Sequence, residues 1–126
     1  MKYLLIVLML AGSISAESWM CKERKSVGIS TEGEKKDFNL EAFILTHKDS
    51  TITLKRFGDK HDRIYPSCES WLSKITCHRS IDGAYASVLS FNKYLKRVTI
   101  LKTGSWVQVE GTGDDDTVKQ ANCLKI

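Results

Sequence analysis

Four cysteines, Cys21, Cys68, Cys77 and Cys123, constrain this chain most, because all of them follow a segment with the layout of an export signal. Lys2 supplies a positive start, residues 3–11 form an unbroken apolar run, and Gly12, Ser13, Ile14, Ser15 and Ala16 make a small-residue exit. Nine apolar residues rise only about 14 Å as a helix, against a hydrocarbon core of about 30 Å. Residues 1–16 are therefore expected to be a signal peptide rather than an anchor, and residues 17–126 a single exported domain, periplasmic or extracellular. In an oxidising compartment an even number of cysteines pairs.

Three connectivities are open to four cysteines. The preferred one joins Cys21 to Cys123 and Cys68 to Cys77. The first bridge would tie the two terminal strands, closing a loop that constrains the unfolded chain by about 4–5 kcal/mol; the second would close a short loop. A zinc site lacks the two-residue cysteine gap, and adjacent Cys77 and His78 would point to opposite faces of a strand. No metal and no cofactor are expected.

The domain is long enough for one core. All 19 Lys/Arg except Lys2 lie in it, against all 15 Asp/Glu, a mildly basic balance that suits an anionic envelope component as partner. The excess is concentrated between Lys60 and Lys102, where eight cations (Lys60, Arg63, Lys74, Arg79, Lys93, Lys96, Arg97, Lys102) face three acids (Asp62, Glu69, Asp82). The C-terminal segment answers with Asp114, Asp115 and Asp116, read as a solvated loop rather than a calcium site, since the alternating ligand spacing is missing.

Alternation of apolar and polar residues dominates the pattern. Residues 18–22 read as a first strand and 22–37 as a polar loop. Residues 38–45 alternate as a strand, although Asp37 could cap a helix carrying Phe38, Ala42 and Leu45 on one face; strand is preferred. Residues 51–57 are plainly β. Ser67 is placed to cap a short helical turn through Trp71 and Leu72. Strands follow at 74–79, 84–91, 94–103 and 105–110, with one helical turn expected at 118–122 and a closing strand at 123–126. The expected fold is all-β: a small antiparallel meander barrel or curled sandwich of roughly seven or eight strands, stapled by two disulfides.

His47, His61 and His78 are not spaced to converge on one pocket, and no nucleophile elbow, phosphate loop or zincin motif is present, so no catalytic residue is assigned. Tyr94, Lys96, Arg97, Lys102 and Trp106 form the candidate binding face, aromatic and basic residues that could stack on sugar rings while cations meet anionic groups. On a strand, Tyr94, Lys96, Val98, Ile100 and Lys102 would share one face, with cationic ends flanking an apolar centre.

Trp19-x-Cys21, the Ser90-Phe91-Asn92 run before a basic strand, and the terminal Cys123-Leu124-Lys125-Ile126 resemble small exported proteins of bacteria and their phages. That resemblance implies a disulfide-closed β fold in the periplasm and transfers no catalytic residue. Periplasmic lysozyme inhibitors are similar in size, signal and barrel character. Asp82-Gly83-Ala84-Tyr85 departs from their Ser-Gly-x-x-Tyr loop, however, and Val98 stands where their Tyr-x-x-x-Lys element has lysine. The expected function is a non-enzymatic exported binding module for an envelope component or a protein. The alternative is an inhibitor or exclusion factor against a secreted enzyme; a small hydrolase comes third. The chain is expected to act as a monomer, without nucleic acid and without stable membrane insertion once the signal is removed.

Overall fold

The computed structural model of the chain describes residues 16–29, 33–58, 60–81, 85–103 and 116–126. These build ten strands: β1 (Glu17–Ile29), β2 (Lys35–Asp37), β3 (Ala42–Lys48), β4 (Thr51–Arg56), β5 (Arg63–Tyr65), β6 (Ser67–Trp71), β7 (Lys74–Ile81), β8 (Tyr85–Asn92), β9 (Arg97–Thr103) and β10 (Asp116–Lys125). Nine follow one antiparallel path, β5-β4-β3-β1-β10-β9-β8-β7-β6, and β2 adds to the far half of β1. Among the described residues no helix is long and apolar enough to cross a membrane.

The path ends on β5 and β6, and Pro66 alone separates them in sequence. One residue reaches only about 3.5 Å, so the two edges must meet and the sheet must roll into a nearly closed barrel. β5 and β6 are one extended stretch that changes partner: its first half pairs with β4 and its second with β7. Pro66 sits at the change, where a residue without an N–H loses no ladder bond. Below it the seam is tied by the Cys68 N–H donating to the Ser50 carbonyl, 3.0 Å. Inside, Tyr65 Oη and Ser87 Oγ are 2.8 Å apart.

Both expected disulfides are present. Cys21 faces Cys123 across β1 and β10, and Cys68 faces Cys77 across β6 and β7, with Cα separations of 4.0 and 4.1 Å. The first joins the strands that begin and end the barrel; the second staples the β6–β7 hairpin, whose β6 strand lies along the seam. Around them lies the core, with Trp19, Phe43, Leu45, Ile52, Leu54, Ile75, Leu89, Phe91 and Val98 buried. Trp19 meets Phe91 edge-on at 5.1 Å, the arrangement that aromatic quadrupoles favour.

Several elements depart from expectation. The described residues form ten strands, not seven or eight. The polar stretch after residue 22 is largely strand, since β1 continues to Ile29. Ser67–Trp71 is a strand, not a helical turn, and residues 118–122 belong to β10 rather than to a helix. The strand expected at 38–45 begins only at Ala42, and the one expected from residue 94 begins at Arg97, because Lys93 to Lys96 form the β8–β9 turn. The strand expected at 105–110 and the turn at Asp82-Gly83 lie outside the described residues.

Candidate anion-binding site

The two ends of the barrel differ chemically. One carries the β3–β4, β6–β7 and β8–β9 turns together with the two chain ends of the domain. Moving away from this turn end, the inward-facing register of strand after strand passes from apolar to polar. Ile52 and Leu54 lead to Arg56, Ile75 and Cys77 to Arg79, and Val98 and Ile100 to Lys102. Read backwards along their strands, Phe91 and Leu89 lead to Ser87, Cys123 and Ala121 to Lys119, and Tyr65 to Arg63.

On β1 the same change runs from Trp19 and Cys21 to Glu23 and Ser26. A bulge between Glu23 and Lys25 shifts the register there, so that Ser26 rather than Lys25 turns inward. Beyond it, Gly28 leaves room for the Phe38 ring: a Cβ at this position would stand 2.7 Å from Phe38 Cε2 and 2.5 Å from the Asp116 carbonyl oxygen.

The polar residues enclose a cavity of about 100 Å³ lined by Arg56, Arg63, Tyr65, Arg79, Ser87, Ile100, Lys102 and Lys119. At about 30 Å³ per water, it has room for one compact group. Five cations from five strands meet there. Glu23 and Glu41 pair with two of them, Arg56 and Lys119. Arg56 lies 3.4 Å from Glu23 and also bonds Glu41, while Lys119 Nζ is 4.0 Å from Glu23. Glu23 is fixed in turn by the Glu41 N–H at 3.0 Å, and its own N–H donates to the Glu41 carbonyl at 2.9 Å.

Arg56 is buried over the Phe43 ring, 5.6 Å from its centroid, and its Nε finds no hydrogen-bond partner among the described residues. Arg79 lies over Tyr65 at 5.9 Å, a cation–π contact that holds the guanidinium on the cavity wall. The Ser87 hydroxyl donates to the Leu101 carbonyl at 2.9 Å, so the Tyr65 hydroxyl must be the donor in their mutual bond. Burial, with the charges of Arg56 and Arg63 adding to it, lowers the Lys119 pKa below its ordinary value, and Glu23 and Glu41 only partly oppose this.

Arg79 and Ser87 also line a larger outer groove, about 390 Å³, between Ile64 and Pro66 on one side and His78, Ala86 and Val88 on the other. It lies along the upper seam, where β5 approaches β7 without ladder pairing. Inner cavity and outer groove thus share two wall residues.

Of the binding face read from sequence, Lys102 alone lines this cavity. Tyr94 and Lys96 stand in the β8–β9 turn at the opposite end, Arg97 lies on the other face of β9 from Val98, and Trp106 falls outside the described residues. The three histidines lie apart: His47 near the turn end of β3, His61 in the loop before β5, His78 on the outside of β7. Asp116 opens β10, while Asp114 and Asp115 lie outside the described residues. Among the described residues no group of three His, Cys, Asp or Glu side chains could hold a metal ion.

Arg56, Arg63, Arg79, Lys119 and Glu23 were not singled out together by sequence reading, yet a signal existed. Three strands end an inward apolar pair on a cation, as in Ile52-x-Leu54-x-Arg56, Ile75-x-Cys77-x-Arg79 and Val98-x-Ile100-x-Lys102. Compared with family models, curated proteins and solved structures, the chain finds no match.

Proposed function

We propose that this chain is an exported, non-enzymatic binding module that grips a compact anionic group, a phosphate or carboxylate, carried by an envelope component. The observation that carries the reading is the convergence of Arg56, Arg63, Arg79, Lys102 and Lys119 on one small cavity. The charges of Arg56 and Arg63 repel that of Lys119, and a bound anion relieves that repulsion while accepting charge-assisted hydrogen bonds. The adjoining seam groove offers space for the remainder of the ligand. The leader and the two disulfides support a periplasmic or extracellular setting.

The test is calorimetric titration of the full chain, disulfides intact, with inorganic phosphate, sulfate and a small dicarboxylate. One saturable site is expected, tighter than about 1 mM. Arg79→Gln and Lys119→Gln should each weaken it by about ten- to a hundredfold, the worth of one charged hydrogen bond. Absence of saturation, or uptake by both variants equal to that of the unsubstituted chain, would overturn the proposal.

A further inference from the structure

The turn end of the barrel carries a second surface, independent of the cavity. Trp71, Leu72, Tyr94 and Leu95 project from two adjacent turns with 77%, 87%, 83% and 56% of their surfaces exposed. The turns are tied to each other by the Lys93 N–H donating to the Ser73 carbonyl at 2.9 Å, and the second is tied to β10 by the Cys123 N–H donating to the Lys96 carbonyl at 2.8 Å. Leu72 adopts a left-handed backbone, φ 55°, which costs a leucine about 1–2 kcal/mol. The fold therefore holds a large apolar side chain in water at the apex of a strained turn.

Lysines surround these tips: Lys74 follows the first turn, Lys93 and Lys96 flank Tyr94 and Leu95, and Lys125 ends β10. Glu17 is the carboxylate that answers them, 3.2 Å from Lys93 and 4.0 Å from Lys125; Asp49 lies in the separate β3–β4 turn beside Lys48. Lysine is depleted from the cores of protein–protein interfaces. Trp and Tyr at the level of lipid headgroups, apolar tips just beneath, and lysines facing anionic lipid form the composition of an interfacial membrane contact.

We propose that the turn end docks reversibly on an anionic lipid bilayer, Trp71, Leu72, Tyr94 and Leu95 entering the headgroup layer of an envelope membrane. The cavity, at the other end of the barrel, then faces away from the lipid. The experiment is co-sedimentation of the full chain, disulfides intact, with vesicles of phosphatidylglycerol and phosphatidylethanolamine, and with phosphatidylcholine vesicles as the neutral comparison. Partition onto the anionic vesicles is expected, falling with salt.

The double variant Trp71→Ser/Leu72→Ser should lower partition at least about tenfold, and Lys74→Gln and Lys96→Gln about fivefold each. Both classes of variant should keep the anion titration of the cavity, which reports an intact fold. No partition onto anionic vesicles would overturn the proposal. So would partition that survives the tip substitutions, because the headgroups would then be held elsewhere on the barrel.

Discussion

Gly28, Glu23 and Arg56 show how single residues shape the polar half of the barrel. Any side chain at Gly28 collides with the Phe38 ring and the Asp116 carbonyl, so Gly28→Ala is expected to destabilise by about 1–3 kcal/mol, read from the midpoint of denaturant unfolding. Removing Arg56 alone leaves Glu23 buried with only Lys119, at 4.0 Å, to balance it. Arg56→Met should therefore cost about 3 kcal/mol, whereas pairing it with Glu23→Gln should restore most of the loss, because the unbalanced charge is gone. Lys119 makes its burial beside Arg56 and Arg63 visible through pH. Its lowered pKa means that the folded chain binds fewer protons than the unfolded chain between that pKa and the ordinary value of 10.5. The charged amine thus weakens the fold below this window, and stability contributed by Lys119 rises as pH rises through it. A bound anion favours the ammonium, so affinity should fall as pH climbs through the same window, and calorimetry on Lys119→Met should show no such fall. Glu17 acts in the opposite sense at low pH. Its hydrogen bond from Lys93 holds its carboxyl below the usual value of 4.5, so its contribution is present above that value and is lost as pH falls through the lowered one.

At the scale of elements, each disulfide staples a pair of neighbouring strands, β1 with β10 and β6 with β7. The Cys21–Cys123 bridge spans 102 residues and the Cys68–Cys77 bridge 9. Loop-closure entropy gives about 5 kcal/mol for the first and about 3 kcal/mol for the second. Replacing the terminal pair by alanine should lower the unfolding free energy by about 2 kcal/mol more than replacing the hairpin pair, as thermal or denaturant melts would show. The preferred pairing was legible because Cys21 and Cys123 lie near the two ends of the domain, which leaves Cys68 and Cys77 to close a short loop. β4, β7 and β8 were legible because each carries a clean apolar alternation. β10 was not: its inward residues include Thr117 and Lys119, so the apolar alternation breaks and a helical turn looked equally natural. The outer half of β1 was hidden likewise, since Glu23 and Ser26 face inward and a bulge between them shifts the phase. Sequence reading failed where the interior is polar, and the interior is polar where the candidate site lies. Ser67–Trp71 escaped for a different reason: only Cys68 in that strand is even partly covered, so burial leaves little pattern to read.

The whole molecule is a barrel with two unlike ends. One is a turn end bearing exposed aromatic and aliphatic tips among lysines; the other holds a cationic cavity that opens beside a groove in the seam. A rolled sheet with an apolar lower core can keep five cations close together above it because every strand enters that layer from a firmly packed stretch. Chemical-shift mapping of the lysine ammonium and arginine guanidinium groups during titration with inorganic phosphate tests the central claim most directly. The account predicts that Lys119, Arg56 and Arg79 shift together along one saturable curve while Lys74 and Lys96 at the turn end stay put. Shifts spread over the surface lysines, with the cavity groups unmoved, would contradict it.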